Sequence, residues 1–311
     1  MDVLSQPIIR RRPLPEFLRL VRIWNLPTAV VDSFAGYLIV AGFGEASAPK
    51  LAAVMLISAL LYSAGMVWND LLDLPRDRTL HPDRPLPSGA IRKKSATRLG
   101  LLLIVLGLAA ASFLGLQVLL LTAALVMLSF TYNAWLKHRG FAGCLNMGAC
   151  RSLNMLIGIA AAGGSLGLLW PFPATLGLYV ASLTLLSLQE EEQITTEGFF
   201  EILSLLLIVL LPFAWFSLSS SERSLALVPV TLLAGWLFAA GAMATRSLTP
   251  ASIGSVVRVA VSGIILLDAA FLVYHGRLVE AVVCAAMLAP SLLLVRLVAR
   301  QKRRAPLQFP V

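Results

Sequence analysis

The chain has 311 residues, of which 58% are hydrophobic and only 13% charged, with a formal net charge of +9. Its mean hydropathy of +0.84 excludes an ordinary soluble domain, in which about a quarter of residues are charged. The excess of Lys and Arg could suggest nucleic acid, but it is distributed between apolar runs as membrane topology is, and no nucleic-acid partner is expected.

Apolar runs of spanning length recur from end to end, so the sequence predicts an all-α, polytopic transmembrane helical bundle embedded in the lipid bilayer. In chain order the spans are expected near 27–43, 51–68, 98–115, 117–134, 145–163, 172–188, 200–218, 225–243, 256–274 and 278–298. No Gly, Ser or Pro linker separates domains, so 1–311 is expected to be one unit, with 1–24 and 299–311 as terminal segments. Basic residues crowd before the first span (Arg10 to Arg12, Arg19, Arg22), after the second (Arg76 to Arg98), after the fourth (Lys137, Arg139) and at the chain end (Arg300 to Arg304). Loops of the opposite parity hold only Lys50, Arg223 and Arg277. The positive-inside rule then puts both termini in the cytoplasm, as in a bacterial inner-membrane protein. Ala46-Ser47-Ala48 has the small-residue pattern of a cleavage site. The region before it is too long and contains Asp32, so no cleaved signal peptide is expected.

The second span runs into Asn69-Asp70-Leu71-Leu72-Asp73-Leu74-Pro75-Arg76-Asp77-Arg78, and then into Arg84-Pro85-Leu86-Pro87-Ser88-Gly89. On a continuous helix Asp70, Asp73 and Asp77 share one face, where like charges repel unless a cation lies between them. Mg²⁺ suits such a set, since it prefers hard oxygen ligands and bridges carboxylates to substrate phosphates. A second acidic run, Glu190, Glu191 and Glu192, follows four spans later on the same side, and a bundle with a pseudo-repeat would bring the two over one central cavity. Inside the spans, Asp32, Arg151 and Asp268 are ionisable groups that insertion into lipid penalises, and they are expected to face the protein interior. Asn25, Asn146 and Asn154 add amides, and Arg151 and Asn154 are an i, i+3 pair directed into the same space. Cys144, Cys150 and Cys284 show neither a paired framework nor metal spacing and are expected to be packing residues.

The pattern Asn-Asp-x-x-Asp-x-x-x-Asp followed by Arg-Pro-Leu-Pro-Ser-Gly resembles the first signature of the UbiA family of intramembrane prenyltransferases. The resemblance begins at Arg22-Ile23-Trp24-Asn25-Leu26-Pro27. It continues through Tyr132-Asn133-Ala134-Trp135-Leu136-Lys137, similar to the family's Tyr/Lys element but with one residue more. Asn146-Met147-Gly148-Ala149-Cys150-Arg151-Ser152-Leu153-Asn154 is similar to the EboC-like branch. Two features depart from the pattern. Glutamates, with Glu197 and Glu201 as a further pair, stand where two aspartates are usual, and ten spans are expected where nine are common.

The resemblance implies a helical bundle with acidic loops over a cavity, and Mg²⁺-dependent transfer of an isoprenyl group from an allylic diphosphate to an aromatic or other electron-rich, membrane-accessible acceptor. It places metal ligation on Asn69, Asp70, Asp73, Asp77, Glu190 and Glu191. Asp73, Lys137, Arg22 and Tyr132 are expected to be catalytic, with Lys137, Arg22 and Arg84 neutralising the departing pyrophosphate and Asp73 or Asp32 taking the proton. Asn25, Asp32, Arg84, Asn146, Arg151 and Asn154 are expected to bind substrate. The competing expectation is a non-catalytic transporter or scaffold. Against it stands the cytoplasmic position of the acidic runs, since transporter sites lie near the bilayer midplane.

Overall fold

The structure is a computed structural model, and it describes residues 13–189, 195–219, 221 and 223–293. A short amphipathic helix, α1 (Pro13–Leu20), leads into α2 (Leu26–Glu45) and α3 (Ala48–Leu72). The small helix α4 (Leu74–Leu80) precedes α5 (Lys93–Leu114), α6 (Leu116–Ala134) and α7 (Phe141–Ala161). After one turn of helix, α8 (Leu166–Leu169), come α9 (Pro171–Leu188), α10 (Thr196–Ile208), α11 (Leu211–Leu218), α12 (Leu227–Ala244), α13 (Pro250–Tyr274) and α14 (Leu278–Ala286). No strand occurs among the described residues, as expected where lipid offers the backbone no hydrogen-bonding partner.

Eight helical segments among the described residues are long and apolar enough to cross a membrane. Two further expected spans differ from these in kind. α7 has 21 residues, enough to cross, but Asn146, Arg151 and Asn154 dilute its apolar character. The last apolar helix, Leu278–Leu293, is shorter, and the rest of the expected 278–298 span lies outside the described residues. The expected 200–218 span is divided into α10 and α11, with Pro212 in the first turn of α11, where its missing N–H interrupts the helical ladder.

α2 and α13 are the most buried spans, and α5 faces outward along most of its length. α7 lies against α2 at backbone distance because both are small at the crossing. A Cβ on Gly158 would stand 2.1 Å from Ser33 O, and one on Gly36 would stand 2.3 Å from Met155 O. In a membrane, where helices gain little from excluding water, such small-residue contacts let backbones approach and gain dispersion energy. The consequence for the site is direct: this crossing brings Arg151 and Asn154 of α7 up to Asp32 of α2. At the opposite end of the bundle, the turn into α14 ties onto the end of α2. The Glu280 carboxylate accepts the Phe43 N–H at 2.6 Å, and Arg277 Nη2 donates to Val40 O at 3.2 Å.

Candidate active site

α3 has 25 residues and so reaches about 37 Å, longer than the ~30 Å hydrocarbon core. It is long enough for its last turn, which carries Asn69 and Asp70, to extend beyond that core. Pro75 in the first turn of α4 has no N–H to give the ladder, and α3 and α4 meet at Asp73 rather than running on as one helix.

Across that junction the three carboxylates, expected to share one face, pair with different cations. Asp70 and Asp77 turn to one pair of cations and Asp73 to another cation. Arg22 Nη2 donates to Asp70 Oδ1 at 3.1 Å, and Arg84 Nη1 donates to Asp77 Oδ2 at 2.6 Å while standing 4.0 Å from Asp70 Oδ1. Lys137, just beyond α6, pairs with Asp73. Asn69 Nδ2 leans on Asp70 Oδ1 at 3.4 Å. Among the described residues no three acidic, His or Cys side chains converge as a metal cage. The donor chemistry nevertheless fits Mg²⁺, since Asn69, Asp70, Asp73 and Asp77 offer hard oxygens only. Three carboxylates already face three cations, so charge balance favours a divalent ion arriving together with an anionic substrate.

Below this cluster opens a cavity of about 750 Å³. Arg22 and Asn25 stand on its wall at the motif end, followed by Tyr62 and Tyr132, and apolar side chains such as Leu125, Val180, Val261 and Ile264 line the remainder. Trp68, Phe130 and Trp135 stack edge to face, with centroids 6.0 and 6.5 Å apart, on the side nearest α5 and α6.

Arg151 and Asn154 share the cavity wall, as the i, i+3 spacing predicted. Arg151 Nη2 donates to Thr28 O at 2.8 Å, and Nη1 stands 3.1 Å from Asp32 Oδ2. Asn154 Nδ2 donates to Ala29 O at 2.6 Å and to Asp32 Oδ2 at 3.1 Å.

The remaining expected residues are placed differently. Asp32 is fully buried behind Arg151 and Asn154 and does not line the cavity. Asn146 is also off the wall, where its Oδ1 receives the Cys150 thiol at 3.7 Å. Arg84 binds the acidic motif and not the cavity lining. Glu197 and Glu201 are exposed on α10, while Glu190, Glu191 and Glu192 lie outside the described residues. Tyr62, Trp68 and Ser58 are wall residues that sequence reasoning missed. Tyr62 carries a usable signal, since it sits seven residues before Asn69, two turns along the same face of α3.

The sequence profile of the UbiA prenyltransferase family matches residues 29–252. The digeranylgeranylglyceryl phosphate synthase of Pyrococcus abyssi is 40% identical over 127 residues, covering 41% of this chain and 46% of that protein. The synthase of the same name from Metallosphaera sedula is 34% identical over 143 residues, covering 46% and 50%. The chain thus spans about half the length of the curated relatives it matches. Among solved structures, a UbiA homolog from Archaeoglobus fulgidus bound to GPP and Mg²⁺ superposes with a TM-score of 0.58 at 15% identity, over 81% of this chain and 99% of that one. A UbiA homolog from Aeropyrum pernix K1 gives 0.61 at 19% identity, over 85% and 98%. At these identities the likeness is one of fold.

Proposed function

Because the chain belongs to the UbiA prenyltransferase family, we propose that it transfers an isoprenyl group from an allylic diphosphate to an electron-rich acceptor within the membrane. The observation that carries this reading is the double position of Arg22, which holds Asp70 of the acidic motif and also lines the cavity. A diphosphate at the motif and a hydrocarbon tail in the cavity would then be parts of one molecule. The Archaeoglobus homolog bound to GPP and Mg²⁺ supports the same pairing of ligand and ion.

Mg²⁺, held by Asn69, Asp70, Asp73 and Asp77 with Glu190 and Glu191 as further ligands, would supply charge neutralisation to the diphosphate. When the diphosphate enters, its oxygens compete with the carboxylates for Arg22, Arg84 and Lys137. As the C–O bond ionises, those cations stabilise the charge that develops on pyrophosphate. The allylic cation left behind forms beside Tyr62 and Tyr132, whose ring faces are electron-rich, and the apolar wall keeps out the water that would quench it. The acceptor's proton passes to Asp73, which stands at the mouth, in preference to Asp32, which is enclosed. Asn25 and Arg151 with Asn154 orient the acceptor's polar group.

Lipid mass spectrometry of membranes with and without the protein tests the reading. A prenylated species should appear only with the protein and vanish in Asp70→Asn. Identical lipid profiles in cells supplied with allylic diphosphates would favour the transporter or scaffold alternative.

A further inference from the structure

Among the described residues that line the cavity, Arg22 and Arg151 are the only cations, and each already faces a carboxylate. The two pairs differ in what can undo them. Arg22 and Asp70 meet at the mouth, where a divalent ion can take the carboxylate and a diphosphate the guanidinium, and the Arg22 side chain is 31% exposed. Arg151 keeps 12% of its side-chain surface and Asp32 none, and Asp32 lies behind the wall, out of reach of an ion that could replace it. The deep guanidinium is also fixed in direction. Nη2 donates to Thr28 O at 2.8 Å, Nη1 stands 3.1 Å from Asp32 Oδ2, and Asn154 Nδ2 holds the same carboxylate oxygen at 3.1 Å. A guanidinium has five N–H groups, so donors remain for a ligand in the cavity. Its depth follows from the helices. Ser58 Oγ donates to Ala29 O at 2.8 Å, which sets Ser58 of α3 at the level of Thr28 and Ala29 of α2, and Tyr62 stands one turn nearer the motif. Arg151 therefore meets a ligand one helical pitch, ~5 Å, deeper than the ring beside which the allylic carbon is placed.

We infer that Asp32 determines acceptor specificity: by neutralising Arg151 it makes the deep end of the cavity a site for an uncharged oxygen, such as the hydroxyl of a phenol or an alcohol, and closes it to a carboxylate or a phosphate. An anion placed there gives up its water without gaining a counter-charge, which the membrane interior penalises. A hydroxyl gives up far less and gains a charge-assisted hydrogen bond from the guanidinium. The offset of ~5 Å between Arg151 and the Tyr62 ring puts the recognised oxygen and the reacting atom in one compact head group. The inference rests on the prenyl-transfer reading for the molecule that enters the cavity. To that reading it adds a division of labour between two arginines: the one at the mouth exchanges its carboxylate for an anionic substrate, and the deep one keeps its carboxylate and binds a neutral group.

The test is equilibrium dialysis of the full chain in detergent at neutral pH, with 1-naphthol and 1-naphthoate as probes that share a ring and differ in charge. Mg²⁺ and inorganic pyrophosphate are present to occupy the mouth, and protein-free micelles serve as the reference. Wild-type protein should bind naphthol about a hundredfold more tightly than naphthoate, the discrimination expected of an uncompensated charge inside a membrane. Asp32→Asn keeps an oxygen for Arg151 and Asn154 but removes the charge. It should raise naphthoate affinity by about tenfold or more while naphthol affinity stays near that of the wild type. Comparable wild-type binding of the two probes overturns the inference, as does an unaltered preference in Asp32→Asn. Should that variant fail to fold, the wild-type ratio decides. Pyrophosphate release from an allylic diphosphate, measured on the same preparation, separates the two readings. Release without a preference for naphthol overturns this inference alone, and the absence of both release and naphthol binding overturns the prenyl-transfer reading with it.

Discussion

Arg22 reaches Asp70 Oδ1 at 3.1 Å from a backbone held at φ 50°, the only positive φ of a non-glycine residue among those described. A left-handed conformation costs an L-residue about 1–2 kcal/mol, and here it lies between α1 and the start of α2. The bend is what turns the guanidinium toward the end of α3. Strain retained at a charged residue on a cavity wall is the kind that persists when function depends on it. Arg22→Gly should therefore raise thermal stability modestly, by about 1 kcal/mol less any loss from the ion pair, while sharply reducing prenyl transfer. Measurement of melting temperature and turnover on the same preparation checks both, and a variant with normal turnover would remove Arg22 from the site.

Asp73 stands at the junction of α3 and α4 and pairs with Lys137, and the proposed reaction has it bind Mg²⁺ and accept the proton. Asp73→Asn keeps the shape and the ability to accept a hydrogen bond but loses the charge. Size-exclusion profiles should be unchanged, while Mg²⁺-dependent turnover is abolished. Full activity in this variant would contradict both assignments.

The balance of three carboxylates against three cations at the mouth predicts that Mg²⁺ binds poorly without a diphosphate. Titration calorimetry should show weak Mg²⁺ binding to the protein alone and much tighter binding with a non-hydrolysable allylic diphosphate present. Reciprocal linkage requires the diphosphate to gain affinity from Mg²⁺ by the same factor. In the combined Gln variant of Glu190, Glu191 and Glu192, diphosphate affinity should fall and the Mg²⁺ requirement rise. Unchanged values would leave the first motif as the sole metal site.

The α2–α7 crossing predicts a loss of stability far from the acidic motif. In Gly158→Ala the new methyl meets Ser33 O at 2.1 Å, and such overpacking costs about 1–3 kcal/mol. Since the same crossing presents Arg151 and Asn154 to the cavity, acceptor KM should rise more than diphosphate KM. Equal effects on both would show that α7 does not orient the acceptor.

Much of this arrangement was legible in the sequence, and the remainder had physical reasons to be hidden. The bundle and its helix order follow from apolar run length, because lipid leaves the backbone no alternative to helices. Asp70 and Asp77 were recognisable as an acidic face. The division at Asp73 was hidden because spacing alone assumes a straight helix, although Pro75 was the warning. The pairing of Asp32 with Arg151 could be anticipated in kind, since opposite charges inside a membrane seek one another. Its geometry depends on Gly36 facing the backbone of Met155 and Gly158 facing that of Ser33 across two helices, which no local pattern encodes. Asp32 was expected to touch substrate and instead lies behind the residues that line the cavity.

The central claim, that Arg22, Lys137 and the acidic motif ionise an allylic diphosphate at the mouth of the cavity, is tested most directly by pyrophosphate release from purified protein. With a C10 to C20 allylic diphosphate and Mg²⁺, release should be slow through water capture and should accelerate when an acceptor is supplied. Lys137→Ala should depress both rates by about a hundredfold, or ~3 kcal/mol in the barrier, since one stabilising interaction with the developing charge is lost. Undiminished release in Lys137→Ala, or no release and no diphosphate binding by the wild-type protein with excess Mg²⁺ or Mn²⁺, would contradict the account.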